Sequence, residues 1–83
     1  MSALKKKIGK MLSQPTNIDF KTLDSVLKGI GCTVRNTGGS HHVYEHPDYF
    51  FPISIPKANP IKRRYIIQVI NQFGLKEIHD EIN

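Results

Sequence analysis

Two apolar stripes of helical period bracket a stretch of chain that cannot itself be helical, and this arrangement decides the fold class. Phe20, Leu23, Val26, Leu27 and Ile30 recur at the spacing of one helix face, with Asn17 or Asp19 available as N-cap and Gly31 as the stop. Ile61, Tyr65, Ile66, Val69, Ile70 and Phe73 repeat the pattern. Asn59-Pro60 introduces this second helix, proline being favoured at the first helical position, and Gly74 closes it. Between the stripes, Gly38-Gly39-Ser40 and Pro47-Asp48 carry turn chemistry and divide the chain into three short strands, 33–37, 42–46 and 51–55. The order α-β-β-β-α predicts an α+β sandwich. A three-stranded antiparallel sheet carries two helices on one face, and its other face or its edge is free for a ligand. A domain this small buries a single thin core and leaves no room for a large substrate cavity.

Each end adds a short helical piece. Leu4, Ile8, Met11 and Leu12 share one helix face with lysines on the other, and Leu75, Ile78 and Ile82 form a further amphipathic turn suited to packing on it. The expected division is a basic N-terminal extension and linker over 1–17, a central domain over 18–76 and a tail over 77–83. Lys5-Lys6-Lys7 is not the start of an export signal, because Met11-Leu12 gives way at once to Ser13-Gln14-Pro15. The apolar runs fall far short of a membrane span, so no membrane partner is expected. The single Cys32 cannot form an intramolecular disulfide and reads as a small buried hydrophobe, which makes a reducing cytoplasm the simplest compartment.

Twelve Lys and Arg against seven Asp and Glu give a net charge of +5. Over residues 33–76, Arg35, Lys57, Lys62, Arg63, Arg64 and Lys76 face only Glu45 and Asp48, a bias that favours a polyanionic partner, nucleic acid ahead of a membrane surface. Cleaving RNA without a metal needs a base for the ribose 2′-hydroxyl, an acid for the leaving oxygen, and cations or N–H donors for the phosphorane oxygens. His42, His41, Lys57 and the Lys62-Arg63-Arg64 run supply those types. Strand alternation puts His42, Tyr44 and His46 on one side and His41, Val43 and Glu45 on the other; with Val43 as the natural core residue, His42 is expected to face outward. Alternation also splits the adjacent histidines across the sheet, which argues against a metal site. Tyr65, Phe51 and Phe73 read as core, and Tyr44 and Tyr49, where exposed, as surfaces on which a base can stack.

Read together, a helix ending over Leu27 to Gly31, the run Gly39-Ser40-His41-His42-Val43-Tyr44, the strand end Ile53-Ser54-Ile55-Pro56 and the closing Gly74-Leu75 resemble the HicA family of bacterial toxins, also described as YcfA-like, over residues 20–75. The family's Gly-Ser-x-His motif places its catalytic histidine at His42 and leaves His41 at the variable position. The resemblance implies a double-stranded-RNA-binding-domain-like fold, ribosome-independent cleavage of mRNA in the bacterial cytoplasm, and inhibition by a cognate HicB antitoxin covering the site. One departure matters: many members carry a His-Pro-Gly-like turn before the last helix, where this chain has Lys57-Ala58-Asn59-Pro60. A second catalytic histidine is therefore not carried over.

The resulting expectation is a toxin endoribonuclease, independent of metal or other cofactor, with His42 as general base or acid. Gly39 and Ser40 shape the turn, and together with His41, Lys57, Lys62, Arg63 and Arg64 they bind RNA. Two other readings use the same fold and basic surface: a non-catalytic double-stranded-RNA-binding module, and a protein-interaction domain meeting an acidic partner.

Overall fold

The computed structural model describes residues 2–36 and 38–82. Along the chain come α1 (Ala3–Ser13), α2 (Phe20–Gly29), β1 (Thr33–Asn36), β2 (His41–Glu45), β3 (Ile53–Pro56), α3 (Arg63–Phe73) and α4 (Leu75–Glu81). The three strands form an antiparallel meander in the order β1-β2-β3, so the expected α-β-β-β-α layout stands with a helix added at each end. Thr37, the last residue of the expected first strand, lies outside the described residues. No helix of the described residues is long and apolar enough to cross a membrane.

Local chemistry sets the helix ends. Asp19 caps α2, its Oδ1 accepting from Thr22 N at 2.9 Å, and the Thr22 side chain together with this backbone N–H lowers the Asp19 pKa. After α2 the chain turns through Gly31 at φ 107°, with Cys32 N donating to Leu27 O at 2.9 Å. Gly74, left-handed at φ 60°, ends α3 and starts α4. Proline placement misleads at the other end of α3. The helix begins at Arg63 and not at Pro60, because Ile61 is held extended in a bridge to Ile18, its N–H donating to Ile18 O at 2.8 Å. Asn59 Oδ1 meanwhile accepts from Phe20 N at 2.9 Å, so the segment before α3 serves as a second cap for α2.

Packing settles which side of each strand is inside. Tyr44 pairs with Val34 on β1 and Ile53 on β3, and Tyr44, Ile53 and Ile55 are buried against Leu23, Val26, Leu27, Ile66, Val69 and Phe73 of the helices. The expectation that Val43 is the core residue of β2 is therefore corrected. Tyr44 is inside, and Val43 lies on the open face between Arg35 and Ser54. Tyrosine wins this position because its ring fills the core while its hydroxyl reaches Asp24 Oδ1 at 2.6 Å. Tyr44 is thus no stacking surface for a base. Phe51 is corrected in the opposite direction: β3 starts only at Ile53, the chain bends at Phe50 and Phe51 themselves, and these two residues are 86% and 70% exposed. Cys32 is buried, and desolvation pushes its thiol up to about 11.

The terminal helices share this core. Ile8 and Met11 of α1 and Leu75 of α4 are fully buried in it. Lys5 Nζ donates to Ile82 O at 2.8 Å, and Lys7 Nζ to Ser25 Oγ at 2.8 Å, tying α1 to the end of α4 and to α2.

The Tyr44–Asp24 bond gives the first prediction. Burial works to raise the Asp24 pKa, but the Tyr44 hydroxyl and the Lys28 ammonium 3.0 Å away together outweigh it and hold the group below its ordinary value. A depressed carboxylate stabilises the fold above its unfolded pKa and stops doing so as pH falls through the folded one. Tyr44→Phe should therefore cost about 1.5–3 kcal/mol near neutral pH, the range for hydrogen bonds to charged groups. That deficit should shrink below about pH 4 as Asp24 takes up a proton. Urea melts of both proteins across this range check it; a deficit independent of pH would mean that the hydroxyl does not serve the carboxylate.

Candidate functional site

His42 sits at the rim of the inner sheet face, not on the outer face as expected. It shares the Tyr44 side of β2, two residues nearer the turn, where the sheet meets the start of α2. Two parallel contacts follow from the two periodicities. On α2, Phe20 and Asp24 lie one turn apart; on β2, His42 and Tyr44 lie one pleat apart. Phe20 meets His42, with ring centroids 4.8 Å apart and a tilt of 53°, while Asp24 meets Tyr44. Half-buried, the imidazole keeps one edge to solvent and one face on Phe20.

Its two nitrogens face different partners. Nε2 lies 3.5 Å from Nδ2 of Asn36, the cross-strand neighbour on β1, and Nδ1 lies 3.4 Å from Ser40 O. The Asn36 carboxamide is oriented by the turn that follows it, because its Oδ1 accepts from Gly38 N at 2.8 Å and so leaves the NH₂ turned to the ring. A donor at Nε2 and an acceptor at Nδ1 select the neutral tautomer with its proton on Nδ1. The basic lone pair is then on Nε2. Both contacts are long, so a substrate hydroxyl can displace the Asn36 amide at little cost.

The turn and the segment after β3 complete the site. Gly39 occupies the left-handed region at φ 66°, a conformation glycine adopts without strain. Ser40 O also accepts from Lys57 N at 2.6 Å, which binds the turn to the chain leaving β3. Lys57 Nζ then lies over the Phe20 ring, 5.9 Å from its centroid. One phenyl ring therefore gathers the imidazole and a cation. Lys62, Arg63 and Arg64 follow on the same segment and are exposed at the start of α3, with Arg64 resting on the Tyr65 ring at 4.9 Å. The ion pairs of the described residues join Lys28 to Asp24 and Arg35 to Glu45, and Lys57, Lys62, Arg63 and Arg64 take part in neither. Three cations at a helix start with no acid in the first turn oppose the helix dipole, a cost that a bound polyanion offsets.

Not every sequence-derived candidate joins this group. His41 is exposed opposite Pro56 and projects to the other face of the sheet. Arg35 also lies on that face, paired with Glu45 at 2.8 Å. Three contributors escaped the sequence reading. Phe20 reads as one more residue of a helical stripe, and Asn36 and Asp24 belong to no pattern that the sequence singles out. The only available signal was the matched spacing of Phe20 and Asp24 on a helix with His42 and Tyr44 on a strand. Among the described residues no three His, Cys, Asp or Glu side chains converge as metal ligands.

Comparison with known proteins adds one finding. A family model described as the HicA toxin of bacterial toxin-antitoxin matches residues 20–75, more than half of the chain. The match begins at Phe20 and spans Phe20, Asn36 and Ser40, the partners of the His42 ring described above. No curated protein and no solved structure is significantly similar to the chain.

The ring contacts predict opposite tautomers for two histidines. His46 Nδ1 accepts from Asp48 N at 3.0 Å while Nε2 meets Ile30 O at 2.8 Å, which requires the proton on Nε2. In nitrogen-15 spectra of the neutral rings, His42 should be protonated on Nδ1 and His46 on Nε2. Replacing Asn36 by Ala should weaken the His42 preference and leave His46 unchanged. An Nε2-protonated His42 would contradict the geometry described.

Proposed function

Because the chain belongs to the HicA toxin family, the toxins of bacterial toxin–antitoxin pairs, we propose that it is an endoribonuclease cutting mRNA with His42 as general base. The observation that carries this reading is the His42 imidazole itself, packed at a tilt against Phe20, with its Nε2 lone pair toward the exposed Asn36 amide and the Lys57 cation on the same phenyl ring.

In this mechanism Nε2 takes the proton of a ribose 2′-hydroxyl that has replaced the Asn36 amide. The 2′-oxygen bonds to the adjacent phosphorus, and charge grows on the non-bridging oxygens, where Lys57 offers its ammonium. The bond to the 5′-oxygen then breaks, the leaving oxygen takes a proton from water, and the imidazolium later returns its own proton to solvent. The products are a 2′,3′-cyclic phosphate and a free 5′-hydroxyl. Gly39 and Ser40 hold the turn that orients the ring, and Lys62, Arg63 and Arg64 hold the RNA backbone through phosphate contacts whose strength falls with salt. No step calls on a metal or other cofactor.

Family membership implies an antitoxin as partner. We place a HicB-like antitoxin over the His42 rim, where it excludes RNA by occupying the same cations, with electrostatic attraction speeding the encounter. The setting is the bacterial cytoplasm, where the mRNA substrate is found.

The test is cleavage of end-labelled RNA in EDTA. Wild-type protein should yield cyclic-phosphate ends. His42→Ala should lose about 10²–10⁴ in rate, the usual worth of a positioned proton-transfer group, while His41→Ala stays near wild type. Folded His42→Ala cutting at the wild-type rate would overturn the assignment. Tight RNA binding without any product from the wild type would point to the non-catalytic module instead.

A further inference from the structure

Phe50 and Phe51 are left outside the core in a molecule that buries most of its other large apolar side chains. Their exposure is enforced by the backbone around them. Tyr49 Oη donates to Phe73 O at 3.0 Å, its ring packs edge-on against Phe73 and His46, and Gln72 Nε2 donates to Phe51 O at 2.7 Å. With the chain pinned on both sides, the two phenyl rings stand together in solvent, centroids 4.8 Å apart.

Beside them lies an open hollow of about 480 Å³ lined by Tyr49, Phe50, Phe51, Gln68, Asn71 and Gln72. Its composition is selective: three aromatic rings, three carboxamides, no aliphatic side chain and no charge. Gln68, Asn71 and Gln72 are spaced i, i+3, i+4 on α3 and so share one helix face. Gln72 is engaged with Phe51, whereas the Gln68 and Asn71 side chains make no hydrogen bond among the described residues. A carboxamide offers a donor and an acceptor side by side, the pattern that matches a base edge and, in its bidentate form, adenine. Aromatic faces supply the stacking through which unpaired bases are held. An apolar peptide docked here would strand those amides, and a charged one would find no counter-ion in the lining.

We propose that this hollow is a subsite for an unpaired nucleobase of the RNA, which stacks on the Phe50–Phe51 pair while Gln68 and Asn71 read its edge, adenine being the best fit. The subsite rests on the RNA-cleaving reading and deepens it. The His42-to-Glu45 run of β2 alone spans roughly 10 Å, and the hollow lies beyond its far end. The recognised base is therefore not one of the two flanking the cut, and the protein selects its RNA at a distance from the scissile bond.

The experiment compares wild type with a Phe50→Ser, Phe51→Ser double variant, whose exposed side chains carry little packing and whose Tm should match. Affinity for a longer single-stranded RNA, read by fluorescence anisotropy, should fall about tenfold, within the range for losing one stacked base. Cleavage of a dinucleotide too short to reach the hollow should be unchanged. Gln68→Ala with Asn71→Ala should instead flatten the preference for adenine-containing RNA. Undiminished affinity of the double variant for the longer RNA overturns the subsite, and does so outright if that variant has lost only its binding to the antitoxin. A wild type that binds RNA with this dependence on Phe50 and Phe51 but yields no product defeats the nuclease reading and leaves the subsite standing.

Discussion

The hydrogen bond from the buried Tyr44 hydroxyl to Asp24 decides which side of β2 faces the helices, and the site follows from that choice. Strand pleating allows only two arrangements, and a slip of one residue would exchange every side chain between the faces. With Tyr44 turned toward α2, His42 must turn the same way. Its place at the first end of β2 then brings it onto Phe20 at the first turn of the helix. The same contact removes a tyrosine from the surface, puts a carboxylate beneath the sheet and leaves an imidazole half-exposed at its rim. Burial and the neighbouring carboxylate both raise the Tyr44 pKa, so the hydroxyl stays a donor across the working range of any protein.

Around that contact the charges are sorted by face. Arg35 and Glu45 neutralise each other on the open side of the sheet, and Lys28 is spent on Asp24. Lys57 and the Lys62–Arg64 run join no ion pair among the described residues, on a segment tied to the start of α2 by Asn59 and to Ile18 just before it by Ile61. A stretch that looks like a spare connection in sequence thus caps a helix, fixes the turn beside His42 through Ser40 and displays cations for a polyanion. Lys57 supplies positive charge there, which suits the proposed mechanism in which His42 moves the proton and a cation steadies the phosphorane.

Much of this was legible in the residues. Helical stripes survive tertiary packing because a whole face must be apolar, so α2, α3 and the smaller terminal helices could be read from spacing, with Asp19, Gly31 and Gly74 at their ends. The Gly38-Gly39 turn and the meander were equally plain, as was the motif that picks out His42. The face of β2 was not. Val43 is the more apolar choice by composition, and Tyr44 becomes core only through Asp24, which is far away in sequence. Phe51 misled for a related reason: Phe51, Ile53 and Ile55 alternate like a strand, but the chain bends at Phe50 and Phe51 and the Gln72 amide holds the bend by bonding Phe51 O. Asn36 and Phe20 were invisible as site residues because each looks ordinary for its element and acquires meaning only across a strand pair or a helix–sheet contact.

A base at His42 that activates the 2′-hydroxyl can be told from an acid with one substrate. An RNA with sulfur in place of the bridging 5′-oxygen at the cut has a leaving group that needs no proton, so it rescues an enzyme lacking its general acid and does nothing for one lacking its base. On this account His42→Ala should be as impaired on the sulfur substrate, relative to wild type, as on ordinary RNA. Restoration of near wild-type cleavage by the sulfur substrate would contradict it and make His42 the acid.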